Sequence, residues 1–288
     1  MRILLIRHGE SVDNVAGLYA GSRDSPLTSH GVLQTKRLGA YLAQSCDPVA
    51  PIKHIFTSNL RRAYETADAI SKALVDIRNS DAHARLEVVQ LPELRKKDYG
   101  SSEGKKYRNA NNLVQPDSET RESMRIRVNR FLDSHMTPIV DTQVSEEITI
   151  AIVAHGIILG VLLKALLERF PRPASSTKQS RSPGISLESA SWSNTGILQA
   201  KLELANGVLK SDRPVEAASS TSAPVAEESS DSHKRLMCLT VEFTNNIDHL
   251  EGLKKTKGGI GSAKFDSRQR TMDSFFGPSS KKRKIQDS

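Results

Sequence analysis

Two short apolar runs limit what this chain can fold into. Arg2-Ile3-Leu4-Leu5-Ile6 passes through Arg7 into His8-Gly9, and Ile148 to Ala154 passes directly into His155-Gly156. Apolar residues without a polar alternation are buried on both faces, as in an interior strand of a parallel sheet. A third run, Ile52 to Thr57, has the same character and ends at Ser58. Helical patterns separate the runs. Val32 to Leu42 sets Leu38, Tyr41 and Leu42 at helical spacing, and Arg61 to Leu74 puts Ala63, Ala67, Ile70 and Leu74 on one face. Ile126 to Leu132 lies in a third helix, and a fourth follows Gly156 through Leu167 until Pro171 and Pro173 stop it. Strands alternating with helices predict an α/β layered sheet. In such sheets chemistry gathers at the carboxyl ends of the strands. Here the loops at those ends begin with Arg7-His8-Gly9, Ser58 and His155-Gly156.

The composition shifts beyond Pro171. Residues 172–191 are Ser-rich and read as a flexible surface loop, while Trp192 to Leu204 and Leu236 to Phe243 alternate as strands do. Between them, Ser211 to Lys234 holds seven Ser, two Pro and no Phe, Tyr or Trp, the composition of a disordered insertion. Nothing after His249 resembles a core element, so the expected division is a domain over 1–250 and a disordered basic tail over 251–288. The charge divides at nearly the same place. The chain carries +8, but Lys254 to Ser288 holds ten Lys/Arg against three Asp, or +7, which leaves +1 on the other 253 residues. A near-neutral body argues against a broad nucleic-acid-binding face, and no sequence-specific nucleic-acid binding is expected. Two cysteines, Cys46 and Cys238, make neither a disulfide framework nor a zinc site and point to a reducing compartment. The longest apolar stretch, Ile157 to Leu167, contains Lys164 and falls short of the roughly 20 residues of a membrane span. No signal peptide is expected either, because the apolar run Ile3 to Ile6 stops at Arg7-His8.

The residues at the strand ends resemble the signature of the histidine phosphatase superfamily, the phosphoglycerate-mutase-like branch. The likeness starts with Arg7-His8-Gly9-Glu10 and Asn14. It continues with Asp24-Ser25-Pro26-Leu27-Thr28, Gly31 and Gln34, then Ser58-Asn59-Leu60-Arg61-Arg62-Ala63 with Thr66. Gly100 to Gly104 and His155-Gly156 complete it, so that it spans residues 1 to about 205 in order. An Arg-His-Gly triplet alone is weak; the ordered blocks are strong. The resemblance implies a three-layer α/β/α sandwich with a mostly parallel central sheet and a metal-independent phosphomonoesterase without a cofactor. His8 would attack phosphorus and carry a phosphohistidine. Arg7 and Arg62 would grip the phosphoryl oxygens with planar forks, and His155 would donate to the same oxygens. Asn14 would hold the phosphate or the His8 loop, with Ala20, Gly21 and Gly156 lining the substrate. Arg61 would be a solvated charge and Glu10 would support the site from behind.

The proton donor departs from the pattern. The family places a Glu four residues before the glycine that matches Gly100, and here that residue is Lys96. Glu93, three residues earlier, is the candidate acid, with Glu87 and Glu103 as rivals and Glu103 read as structural. If Glu93 does not reach, turnover should be slow, and a catalytically weak regulator is the alternative. Cofactor-dependent mutases have a Trp at the position of Asp13 and another before Asp24, whereas this chain has its single Trp at 192. Hydrolysis is therefore expected over mutase activity. The segments 95–115 and 172–191 would choose the substrate, a phosphorylated small molecule or a phosphoprotein. Arg95, Lys96, Lys97, Lys105, Lys106 and Arg108 favour further negative charge on it.

Gln269-Arg270-Thr271-Met272-Asp273-Ser274-Phe275-Phe276 resembles the PIP box, the peptide that docks on the sliding clamp PCNA. Met272, Phe275 and Phe276 share one face of a tight helical turn, and Gln269 would anchor its start. Lys281-Lys282-Arg283-Lys284 resembles a nuclear localisation signal. A nuclear enzyme tethered to PCNA is the expectation, with the cytoplasm as a second compartment and no membrane partner.

Overall fold

The computed structural model describes residues 1–45, 49–78, 86–107, 115–143, 146–171, 191–204, 237–256 and 259–267. Six strands form one mixed sheet in the order β3-β2-β4-β1-β5-β6. These are β1 (Arg2–Arg7), β2 (Ile52–Ser58), β3 (Val88–Leu91), β4 (Thr149–Ala154), β5 (Ile197–Leu204) and β6 (Met237–Asn246). β1, β2, β3 and β4 run parallel, and β5 is antiparallel to both β1 and β6.

The two apolar runs become adjacent central strands, and their alternating residues serve two different cores. Ile3, Leu5, Ile150 and Ile152 face one side, packed by α4 (Arg121–Phe131), α5 (Thr137–Gln143) and α6 (Gly156–Arg169) through Met124, Phe131, Val140, Ile158 and Leu162. Leu4, Ile6, Ala151 and Val153 face the other side, packed by α2 (Ser29–Gln44) and α3 (Arg61–Arg78) through Leu38, Leu42, Ala63, Ala67 and Ile70. A strand covered on both faces has no use for polar alternation, which is why these runs are continuous. The result is the expected α/β fold, with helices on both faces of the sheet.

Several boundaries differ from the sequence expectation. β3 was not expected; at four residues it is too short to show a period. α2 starts three residues before Val32 because Thr28 caps it, its hydroxyl accepting from the Gly31 N–H at 2.9 Å. α1 (Val12–Ala16) is a single turn closed by a capping box between Ser11 and Asn14. Trp192 to Gly196 is a turn rather than the start of a strand, with Thr195 at φ +58°, and β5 begins at Ile197. Residues 172–190 and 205–236, which hold the expected loop and insertion, lie outside the described residues, as do 269–276 and 281–284.

The segment after residue 250, expected to be a disordered tail, is seated on the body up to Ser267 wherever it is described. Ala263 O accepts from the Ser29 N–H at 3.0 Å, the Phe265 N–H donates to Leu27 O at 3.2 Å, and Lys255 pairs with Glu10 at 2.9 Å. Single backbone bonds and one ion pair leave no periodic signature in a sequence, so composition alone read this stretch as tail.

Candidate active site

The register of two strands assembles the centre of the site. β1 pairs with β4 so that Arg7 lies opposite Ala154, and the His8 N–H then donates to Ala154 O at 3.0 Å. The next residue on each strand is a histidine. The rings of His8 and His155 stand edge to face, 4.9 Å between centroids, and both residues are buried. β2, the other neighbour of β4, delivers Ser58 to the same sheet edge. His155 also precedes the first turn of α6, whose N-terminal amides add positive potential there.

The two imidazoles are held in defined states. His8 Nδ1 lies 2.7 Å from Gly9 O, and a carbonyl only accepts, so the ring proton is on Nδ1 and the Nε2 lone pair is free. Burial, then the charges of Arg62 and Arg7, push the His8 pKa well below its ordinary value, so the ring is neutral at pH 7 despite the opposing bond to Gly9. His155 is neutral for the same reason, burial first and then Arg62. Its Nε2 lies 3.0 Å from Ser58 Oγ. Ser58 is fully buried and its oxygen takes the Leu60 N–H, and the ring nitrogen is the acceptor within reach for its hydroxyl proton, which therefore points to Nε2. The His155 proton is then on Nδ1, a buried atom without a hydrogen-bond partner, left to donate to a bound oxygen.

Arg62 lies in the first turn of α3 and is 1% exposed. Its guanidinium donates to Arg23 O at 2.8 Å and to Ala20 O at 3.0 Å, with a longer contact to Gly21 O. Burial lowers its pKa to about 10, which leaves it cationic at neutral pH. Arg61 points outward and pairs with Glu65 at 2.6 Å. Arg7 donates to Trp192 O. The 20–23 loop is gripped from its other side by Glu103, whose carboxylate accepts from the N–H groups of Gly21 and Tyr99, at 2.9 and 3.0 Å, and of Ser22 at 3.1 Å. With its oxygens so occupied, Glu103 organises the loop. Gly21 has to be glycine, because a Cβ there would meet Lys97 O at 1.9 Å.

The nucleophile loop is braced by residues distant in sequence. The Gly9 N–H donates to Thr66 Oγ1 at 3.1 Å, and Thr66 donates in turn to Arg62 O. Asn194 Nδ2 donates to His8 O at 3.0 Å and to Asn14 Oδ1 at 3.3 Å, and the Thr195 N–H donates to Arg7 O. Asn14 thus acts on the His8 loop through Asn194. Asn194 and Thr195 escape sequence reasoning because only the antiparallel register of β5 brings them here.

The candidate acids are placed differently from one another. Glu93 is on a 3-10 turn after β3; its backbone carbonyl takes a bond from Arg127, and its buried Oε2 has no hydrogen-bond partner. Glu10 is occupied by Thr28 and Lys255, Asp13 by Arg23, and Asp24 by the Arg61 N–H. The charges that bear on His8 are those of Arg62, Arg7 and Lys96, all cationic. Tyr19 packs against Tyr99 and Tyr107, with centroids 4.7 and 4.2 Å away, and makes an aromatic wall beside the Lys105-Lys106 segment. Among the described residues no group of three or more His, Cys, Asp or Glu gathers to hold a metal ion.

Comparison with known proteins returns the same assignment as the geometry. A family model described as the histidine phosphatase superfamily (branch 1) matches residues 3–196. A Schizosaccharomyces pombe protein named as a probable phosphatase is 28% identical over 281 residues, covering 94% of this chain and 78% of that protein. The adenosylcobalamin/alpha-ribazole phosphatase of Salmonella typhimurium is 31% identical over 58% of this chain and 80% of its own length. A Proteus mirabilis protein named as a probable phosphoglycerate mutase is 29% identical over 58% of this chain and 75% of its own length. Among solved structures, a mycobacterial hydrolase superposes with a TM-score of 0.58 at 17% identity, covering 85% of this chain and 98% of the other, a likeness of fold.

Proposed function

The chain belongs to the histidine phosphatase superfamily (branch 1), and from that premise we propose that it hydrolyses phosphomonoesters through a phosphohistidine on His8. The observation that carries this reading is the bond between His8 Nδ1 and Gly9 O, which leaves Nε2 as a lone pair at the sheet edge. In the first step that lone pair forms a bond to phosphorus while the ester P–O bond breaks and the alcohol leaves with a proton. In the second, water attacks phosphorus, the P–N bond breaks, and inorganic phosphate departs from a neutral His8. Phosphoryl transfer asks for positioning and charge stabilisation more than for covalent help. Arg7, Arg62 and the Nδ1–H of His155 supply both. Hydrolysis is favoured over mutase activity because Asp13 stands where the mutases have Trp, and its carboxylate is committed to Arg23.

Rapid quench of the full chain with a radiolabelled aryl phosphate should trap acid-labile, alkali-stable phosphate on wild type and none on His8→Ala. Equal hydrolysis by the two proteins would overturn the reading. The motif at 269–276 lies outside the described residues, and its sequence supports docking of this enzyme on PCNA in the nucleus. A peptide of residues 262–284 should bind the clamp in calorimetry, and the double change Phe275→Ala, Phe276→Ala should abolish that binding. No heat at tens of micromolar peptide would remove the tether from the proposal.

A further inference from the structure

Hydrolysis of an unactivated ester needs a proton for the leaving oxygen. Glu93 keeps a buried oxygen without a partner but is not among the charges that bear on His8, and the other carboxylates named above are committed elsewhere. Glu103 caps backbone amides of the 20–23 loop, Asp13 is paired with Arg23, Asp24 binds the first turn of α3, and Glu10 is held by Thr28 and Lys255. What stands among the site's charges instead is Lys96.

We propose that Lys96 is the general acid and base of this enzyme, its ammonium protonating the leaving oxygen and its amine then taking a proton from the attacking water. The proposal rests on the phosphohistidine reading above.

The placement of Lys96 is constrained by its surroundings. Its backbone carbonyl, like that of Glu93, accepts from Arg127, and Arg127 is fixed by a two-pronged pair with Glu119. The next residue, Lys97, presses its carbonyl against Gly21, the residue whose own carbonyl faces Arg62. The Lys96 ammonium lies 5.3 Å from the centre of the Tyr99 ring, on the aromatic wall of the site. The segment is therefore wedged between α4 and the 20–23 loop whose carbonyls hold Arg62. The charged groups that bear on Lys96 are Arg62 from α3, Arg7 from β1, Asp13 from α1, and Glu103 from the turn after Gly100. Burial, then Arg62 and Arg7, bring its pKa down to about 8, partly offset by Glu103 and Asp13. An amine of that strength is protonated at neutral pH and gives up its proton near it, as acid–base catalysis requires.

The proton balance closes. As His8 Nε2 bonds to phosphorus, the Lys96 ammonium passes one proton to the ester oxygen and becomes an amine. As water attacks the phosphohistidine, the amine takes one proton from it, and both groups return to their starting states.

The test is a leaving-group series on the full chain: phenyl, 4-nitrophenyl and 2,4-dinitrophenyl phosphate. Loss of a proton donor harms poor leaving groups and spares good ones. Because kcat/KM reports only the steps up to phosphorylation of His8, Lys96→Met should lose about 10²-fold or more in kcat/KM with phenyl phosphate, the usual scale of acid–base catalysis, yet less than about threefold in kcat/KM with 2,4-dinitrophenyl phosphate. The latter rate also reports that the variant is folded. Lys96→Arg keeps the charge but gives up no proton, so it should show the same steep pattern. The fall of kcat/KM above about pH 8 in wild type should vanish in Lys96→Met. Equal losses across the series, recovery by Lys96→Arg, or the steep pattern appearing in Glu93→Gln would each overturn the assignment. Failure of wild type to form phospho-His8, or to hydrolyse 2,4-dinitrophenyl phosphate, would instead overturn the broader reading.

Discussion

Ser58 has one oxygen with two tasks, and both concern the position of another group. It accepts from the Leu60 N–H at the entry to α3, and it fixes which nitrogen of His155 bears the proton. Ser58→Ala should therefore act twice. The Leu60 N–H loses its partner, for about 1–3 kcal/mol of stability, and His155 loses the bond that aims Nδ1–H at the phosphoryl oxygens. Misplacing one such donor costs on the order of 10² in kcat. Steady-state kinetics beside a thermal melt checks this: a variant destabilised with kcat unchanged would show that His155 is aimed by packing alone. The histidines and arginines of the site were legible as residues because each follows an apolar run or opens a helical pattern. Ser58 was legible as part of a motif, but its role was not, because a hydrogen bond between the ends of two strands appears only once their register is known.

At the level of elements, the site depends on a loop that has no regular structure of its own. Residues 20–23 offer carbonyls to Arg62 on one side and amides to Glu103 on the other. A loop can be rigid when both its donors and its acceptors are claimed. Glu103→Ala removes several amide bonds to a charged group at once, each worth roughly 1.5–3 kcal/mol. The expected result is a loss of about 3 kcal/mol or more in denaturant melts, with a rise in KM as Arg62 loses its backing. A stable variant with wild-type KM would show that Arg62 needs no such support. The helices α2, α3 and α6 and the strands β1, β2 and β4 were readable from apolar period and run length. The short β3, the turn at 192–196 and the seating of 259–267 were not. Their order comes from tertiary hydrogen bonds such as Ser29 N–H to Ala263 O, which need no particular side chain.

For the whole molecule, buried neutral histidines make stability depend on pH. His8 and His155 stay unprotonated when folded to well below their ordinary pKa, and burial first lowers that of His249 to about 4. The unfolded chain binds those protons from about pH 6.5 downward, so it takes up more protons than the folded one as the solution is acidified. Stability should be nearly level between about pH 7 and 7.5 and fall below about 6.5, by on the order of 1 kcal/mol per pH unit for each histidine. Urea melts from pH 7.5 to 5 would show the slope, and a flat profile would mean that these rings titrate normally in the fold. The sheet order has a consequence of another kind. β1 lies between β4 and β5, whose residues are made about 140 to 190 positions later. At a synthesis rate of about 5–20 residues per second, that run waits on the order of ten to forty seconds for the second of its two neighbours. During that time the nascent chain carries an unpaired apolar edge, a binding site for chaperones, and the pocket around His8 cannot close until Thr195 has left the ribosome.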